Sequence, residues 1–72
     1  MKKELRKFYE LHGNWTLHLM HWEENLPTPY VVCWNWNGES WDWGKYFVNL
    51  KDANDCIEQQ AIEYGYREVT PK

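Results

Sequence analysis

Three histidines (His12, His18 and His21), two cysteines (Cys33 and Cys56) and the carboxylates Glu23, Glu24, Glu39 and Asp42 are the side chains here that could bind a metal or drive catalysis. A tetrahedral metal site needs ligands that converge, whereas positions 18 and 21 of a strand point to opposite faces. Neither a Cys-x-x-Cys nor a His-Glu-x-x-His spacing is present. No metal and no other cofactor is expected. General acid–base or nucleophilic catalysis needs a base held beside a second carboxylate or a hydroxyl in a pocket. Ser40 lies close to Asp42, but no histidine is placed to join them. The residues therefore predict no catalytic group and a non-enzymatic protein.

The aromatic residues carry the stronger signal. Six tryptophans occur in 72 residues, and four of them fall between Tyr30 and Val48. The dipeptide Asn37-Gly38 tolerates positive φ at both positions and predicts a hairpin turn between two alternating segments. A two-residue turn pairs Trp34 with Trp41 and Val32 with Trp43; a four-residue loop pairs Trp36 with Trp41 and Trp34 with Trp43. Both registers put Tyr30, Val32, Trp34, Trp36, Trp41 and Trp43 on one face, and Val31, Cys33, Asn35, Ser40, Asp42 and Gly44 on the other. Trp34 and Trp43, mid-hairpin, are expected in the core. Trp36 and Trp41 flank the turn, beyond the cover of the helix, where bulky rings anchor interfaces. The expected partner-binding site is Trp36, Glu39, Trp41 and Asp42, its rings supplying area and its carboxylates selecting a partner protein with a basic surface patch.

The elements that must position these residues follow from periodicity. Residues 2–12 read as a helix through Leu5, Phe8, Tyr9 and His12, with Gly13 just past its end. The competing reading is a strand with Leu5, Tyr9 and Leu11 on one side, turning at Gly13-Asn14. Residues 14–23 read as a strand with Trp15, Leu17 and Leu19 opposite Thr16, His18, Met20 and Trp22, and neither face is polar. Residues 23–29, with Pro27 and Pro29, form a connection. Gly44 suggests a bulge, after which Tyr46, Val48 and Leu50 alternate with Lys45, Phe47 and Asn49. A helix follows, capped by Asn49 or Asp52, with the stripe Ala53, Cys56, Ile57, Ala61 and Tyr64 ending before Gly65. Its small side chains suit close approach to a sheet. The tail from Tyr66 adds a short extended segment stopped by Pro71. The expected fold is one α+β domain over residues 1–72, in the order α-βββ-α, with an antiparallel sheet covered by the C-terminal helix; ββββα is the rival order. Cys33 then faces away from the helix and Cys56 lies beneath it, which predicts two free thiols.

The order α-βββ-α is shared with the double-stranded RNA-binding domain, whose helix start is lysine-rich. Here Asp52-Ala-Asn-Asp55 is acidic and repels phosphate. The formal charge is −3, and the basic residues are spread along the chain. Binding of nucleic acid through the aromatic residues is thus a secondary expectation, and a self-assembling structural subunit another. No run of 18 apolar residues and no apolar segment after Met1-Lys2-Lys3 appears, so the expected location is cytoplasmic, without a membrane partner. The composite expectation is a small binding module that modulates or inhibits a larger protein, of the kind phages and mobile elements encode. Homodimerisation through the sheet or its edge is the accompanying option.

Overall fold

The structure, a computed structural model, describes residues 1–69. Strands β1 (Lys2–Glu10), β2 (Trp15–Trp22), β3 (Tyr30–Trp36) and β4 (Ser40–Phe47) are followed by helix α1 (Leu50–Tyr64) and a short strand β5 (Tyr66–Glu68). All strands belong to one antiparallel sheet in the order β4-β3-β2-β1-β5. The first four strands form a meander, and α1 carries the chain from the β4 edge to the β1 side. There β5 pairs with β1 through Phe8 to Glu10.

The N-terminal segment corrects the expected α-βββ-α order: residues 2–10 are strand, and the chain follows the rival ββββα order with β5 added. Lys, Glu and Leu favour a helix only weakly, and pairing with β2 along β1, joined by β5 from Phe8 to Glu10, outweighs that preference. The alternation of β1 is broken by a bulge at Leu5, where Glu4 pairs with Met20 but Arg6 with Leu19. Glu4 and Arg6, two apart in sequence, therefore lie on opposite faces. Phe8 enters the core and Arg6 sits beside it on the helix side.

The β3–β4 hairpin turns at Asn37 and Gly38, both at positive φ (54° and 76°). The Glu39 amide donates to the Trp36 carbonyl at 2.9 Å, and that of Asn37 donates to the Asn14 carbonyl at 2.8 Å. Pairing resumes at Trp36 opposite Ser40, which leaves three residues outside the ladder. An odd connection shifts the register by one relative to both expected pairings. Trp34 thus faces Asp42, and Trp41 faces Asn35 on the side away from the helix. Trp43 does not share the Trp34 face either, because it stacks on Trp41 with ring centroids 5.1 Å apart. The expected bulge is present at Trp43–Gly44, after which Lys45 pairs with Val32 and Phe47 with Tyr30.

Helix α1 starts at Asn49, whose side chain accepts the Asp52 amide at 2.9 Å, and ends at Gly65 in the left-handed conformation. It buries Ala53, Ile57 and Ala61 against Phe8, Leu17, Leu19 and Val32. Tyr30, Trp34, Phe47, Cys56 and Tyr66 pack around that cluster. Tyr64, expected in the stripe, is largely exposed. Cys33 is buried on the opposite side of the sheet from Cys56, and both are free thiols. The expected stop at Pro71 lies outside the described residues.

Arg6 ties three elements together. Its guanidinium donates to both Glu68 oxygens at 2.7 and 2.8 Å, to Asn54 at 3.1 Å and to Glu58 at 3.2 Å. The bond to Arg6 holds the Glu68 carboxyl below its ordinary value of 4.5. Folding therefore favours the ionised carboxylate, whose contribution is complete above that ordinary value and is lost as pH falls through the lowered one. Replacing Glu68→Gln should flatten the acid limb of the stability–pH curve, read as urea midpoints between neutral pH and the onset of acid unfolding. An unchanged acid limb would remove Glu68 from the account.

Candidate functional site

The four residues expected to form one patch are divided by the sheet. Trp36 and Trp41 are both exposed, at 40% and 44%, as their place beside the turn suggests. Trp36 lies on the helix side, its ring 5.2 Å from that of Trp15. Asp42 is on the same side, opposite Trp34, and Glu39 is in the turn. Trp41 projects from the other face, where its ring centroid is 5.0 Å from that of His18.

On the helix side, Asp42 lines an open cleft of about 450 Å³ together with Glu10, Trp15, Trp34, Gln60, Tyr64 and Tyr66. Its walls come from all five strands and the last turns of α1, assembled when β5 pairs Tyr66 with Glu10. Neither Glu10 nor Asp42 forms an ion pair among the described residues. Burial pushes the Tyr66 phenol up, the nearby Glu10 carboxylate adds to that rise, and a hydrogen bond with Trp34 opposes it. Two uncompensated carboxylates among four rings make a site for a cation: rings present a negative face and carboxylates accept hydrogen bonds.

The face without a helix has a different chemistry. Trp41 and Trp43 stack, Trp22 lies 6.3 Å from Trp43, and the Lys2 ammonium sits over the rings of Trp22 and Trp43 at 4.2 and 4.6 Å. Val31 and Cys33 are fully buried here, flanked by Met20 and His18 of β2 and by the residues of β4. Burial pushes the Cys33 thiol up to about 12, so it stays protonated and unreactive. His18, 5% exposed, donates through Nδ1 to Glu4 at 2.6 Å, and its Nε2 bonds the Thr16 hydroxyl at 2.7 Å. Carboxylate, imidazole and hydroxyl stand in the order in which a base activates a hydroxyl; here the chain also fixes all three side chains in place. His21 lies on the helix side against Tyr30, 5.0 Å away, and His12 is exposed in the β1–β2 turn.

No local spacing marked Glu10, Trp15, Tyr64 and Tyr66 as one site, because the two ends of the chain meet only through the pairing of β5 with β1. Among the described residues no three His, Cys, Asp or Glu side chains converge as a metal site would require. No helix among them is long and apolar enough to cross a membrane. Comparison with protein-family models, characterised proteins and solved structures gives no match for this chain.

Proposed function

We propose that this protein is a small binding module that takes an arginine side chain of a basic partner protein into the cleft between Trp15, Trp34, Tyr64 and Tyr66. The observation carrying this reading is the pair Glu10 and Asp42, two carboxylates without an ion-pair partner among the described residues, in a ring-lined cleft. A guanidinium suits it better than an ammonium, being planar, able to stack on a ring and able to fork to a carboxylate. A cation–π contact contributes about 0.5–2 kcal/mol, and each exposed ion pair about 0.2–1 kcal/mol. The arginine alone should therefore bind with a Kd on the order of 1 mM or weaker. The remaining affinity comes from surface around the cleft, with Trp36 beside Trp15 as its ring-bearing lip.

The test uses acetyl-Gly-Arg-Gly-amide as probe and acetyl-Gly-Gln-Gly-amide as neutral control, followed by NMR at the indole N–H groups of Trp15 and Trp34. Saturable shifts are expected with the arginine peptide alone. They should disappear in the Glu10→Gln, Asp42→Asn double variant, which keeps the urea midpoint of the parent because neither carboxylate has an ion-pair partner among the described residues. Equal binding of the two peptides, or undiminished binding by the double variant, would sink the proposal.

A further inference from the structure

The face away from the helix holds a second depression, of about 460 Å³, at the end of the sheet where the β1–β2 and β3–β4 turns meet. Thr16, His18 and Asn35 line it, with the rings of Tyr9 and Trp41 beside them and Lys7 and Asn37 among the remaining lining residues. Of the polar groups, Thr16 and His18 are occupied by each other and by Glu4. Asn35 is not. It is only 4% exposed, yet among the described residues its side-chain amide takes part in no hydrogen bond. None of its polar atoms is both fully enclosed and unpaired, so the amide reaches the depression and directs its bonding capacity there. Folded chains rarely leave such a group without a partner.

The register also gathers cations that are scattered in the sequence. Lys2 pairs with Trp22 and Lys7 with His18, which puts both on this face, and Arg67 joins them as the partner of Tyr9. Of these cations only Lys7 lines the depression, where Glu10 stands at the rim, while Glu4, which the pairing brings to the same face, is bonded to His18. The ligand that fits is flat, so that it stacks on an exposed indole. It offers a donor and an acceptor side by side to a carboxamide, as the N6/N7 edge of adenine does. It also carries negative charge for Lys7. We infer that the depression between Trp41 and Tyr9 binds an adenine nucleotide, its base stacked on Trp41 and held by the Asn35 amide, and its phosphate at Lys7. The depression shares Glu10 and Trp15 at its rim with the cleft on the helix side, but Asn35 and Trp41 belong to it alone.

The nucleotide can be free or part of a single strand, and the arms of one experiment separate the two. AMP, ribose 5-phosphate, an oligoadenylate and a glutamate-rich peptide are titrated into the protein, with backbone and indole NMR shifts as readout. AMP is expected to shift Thr16, Asn35 and the Trp41 indole saturably. Asn35→Leu and Trp41→Leu should each weaken it by about tenfold or more. The Trp41 variant, altered at an exposed ring, keeps the fold if the larger change at Asn35 does not. Oligoadenylate binding that is tighter than AMP binding and falls steeply with salt identifies a strand as the source; AMP binding without that gain identifies the free nucleotide. Ribose 5-phosphate binding as well as AMP, the acidic peptide alone binding at this site, or no shift at Asn35 and Trp41 with any probe would each overturn the inference.

Discussion

Replacing Gly44→Ala is expected to cost about 3 kcal/mol, and Gly44→Val more, against the roughly 4–11 kcal/mol that a domain of this length possesses. A Cβ at Gly44 would lie 2.3 Å from Cζ3 and 3.0 Å from Cε3 of Trp34, and 2.9 Å from the Val32 carbonyl oxygen. Neither neighbour can move aside cheaply: the ring packs against the core and the oxygen is backbone. The φ at Gly44 is not positive, so the position needs room rather than conformational freedom. Gly38 is the opposite case, with nothing within 4 Å but φ at 76°. Gly38→Ala should therefore cost only about 1–2 kcal/mol, from left-handed strain alone. Urea midpoints separate the two. The effect of Gly44→Ala should also shrink in a Trp34→Leu background, where the ring is gone. A Gly44→Ala midpoint equal to that of the parent would mean that the Trp34 ring does not lie over the bulge.

The variant Ile57→Ala should cost about 2–5 kcal/mol, a loss comparable with the whole stability of a small domain. The helix buries three side chains, and two of them are alanines. Ile57 is thus the single large group by which α1 fills the space above Phe8, Leu17, Leu19 and Val32, and it has no exposure. With alanine there, the flanking alanines cannot extend to fill the cavity, and β5 loses its support because α1 delivers it to β1. The expected readout is a lower urea midpoint at an unchanged slope, with the Val69 amide at the end of β5, which donates to the Lys7 carbonyl, losing hydrogen-exchange protection first. A loss below about 1 kcal/mol would show that the sheet holds together without this contact.

How much of this could be seen beforehand depended on whether local periodicity survived. The helix was legible because Asn49, the stripe Ala53, Ile57 and Ala61, and Gly65 all act within one element. The hairpin was legible at Asn37-Gly38, and the bulge at Gly44. Strand β1 was not, since the bulge at Leu5 interrupts its alternation and its one core residue, Phe8, sits among charged neighbours. The faces of Trp41 and Trp43 were misassigned for a related reason: both registers considered were even, and the loop is odd. Of the residues expected beside the turn, Trp36 and Trp41 are exposed there, whereas Asp42, expected on the face away from Trp34, lies opposite it. Glu10 and Trp15 come from one end of the chain and Tyr64 and Tyr66 from the other, and Glu4 and His18 meet across the β1–β2 pairing. Nothing in the spacing of either set encodes their meeting, which follows from strand order.

The bulge at Trp43–Gly44 also bears on how this chain behaves in a crowded solution. An outer strand with an unbroken row of amides and carbonyls invites another chain to add itself, and repeated addition ends in aggregates. Strand β4 is such an outer strand, but its row is interrupted halfway; on the far edge the three-residue β5 covers only Phe8 to Glu10 of β1, and the open remainder of β1 is itself interrupted by the bulge at Leu5. A newcomer would find continuous pairing for only a few residues on either side. A chain with this many exposed rings can thus stay dispersed, and its aromatic surface is left to act through side chains rather than through backbone templating.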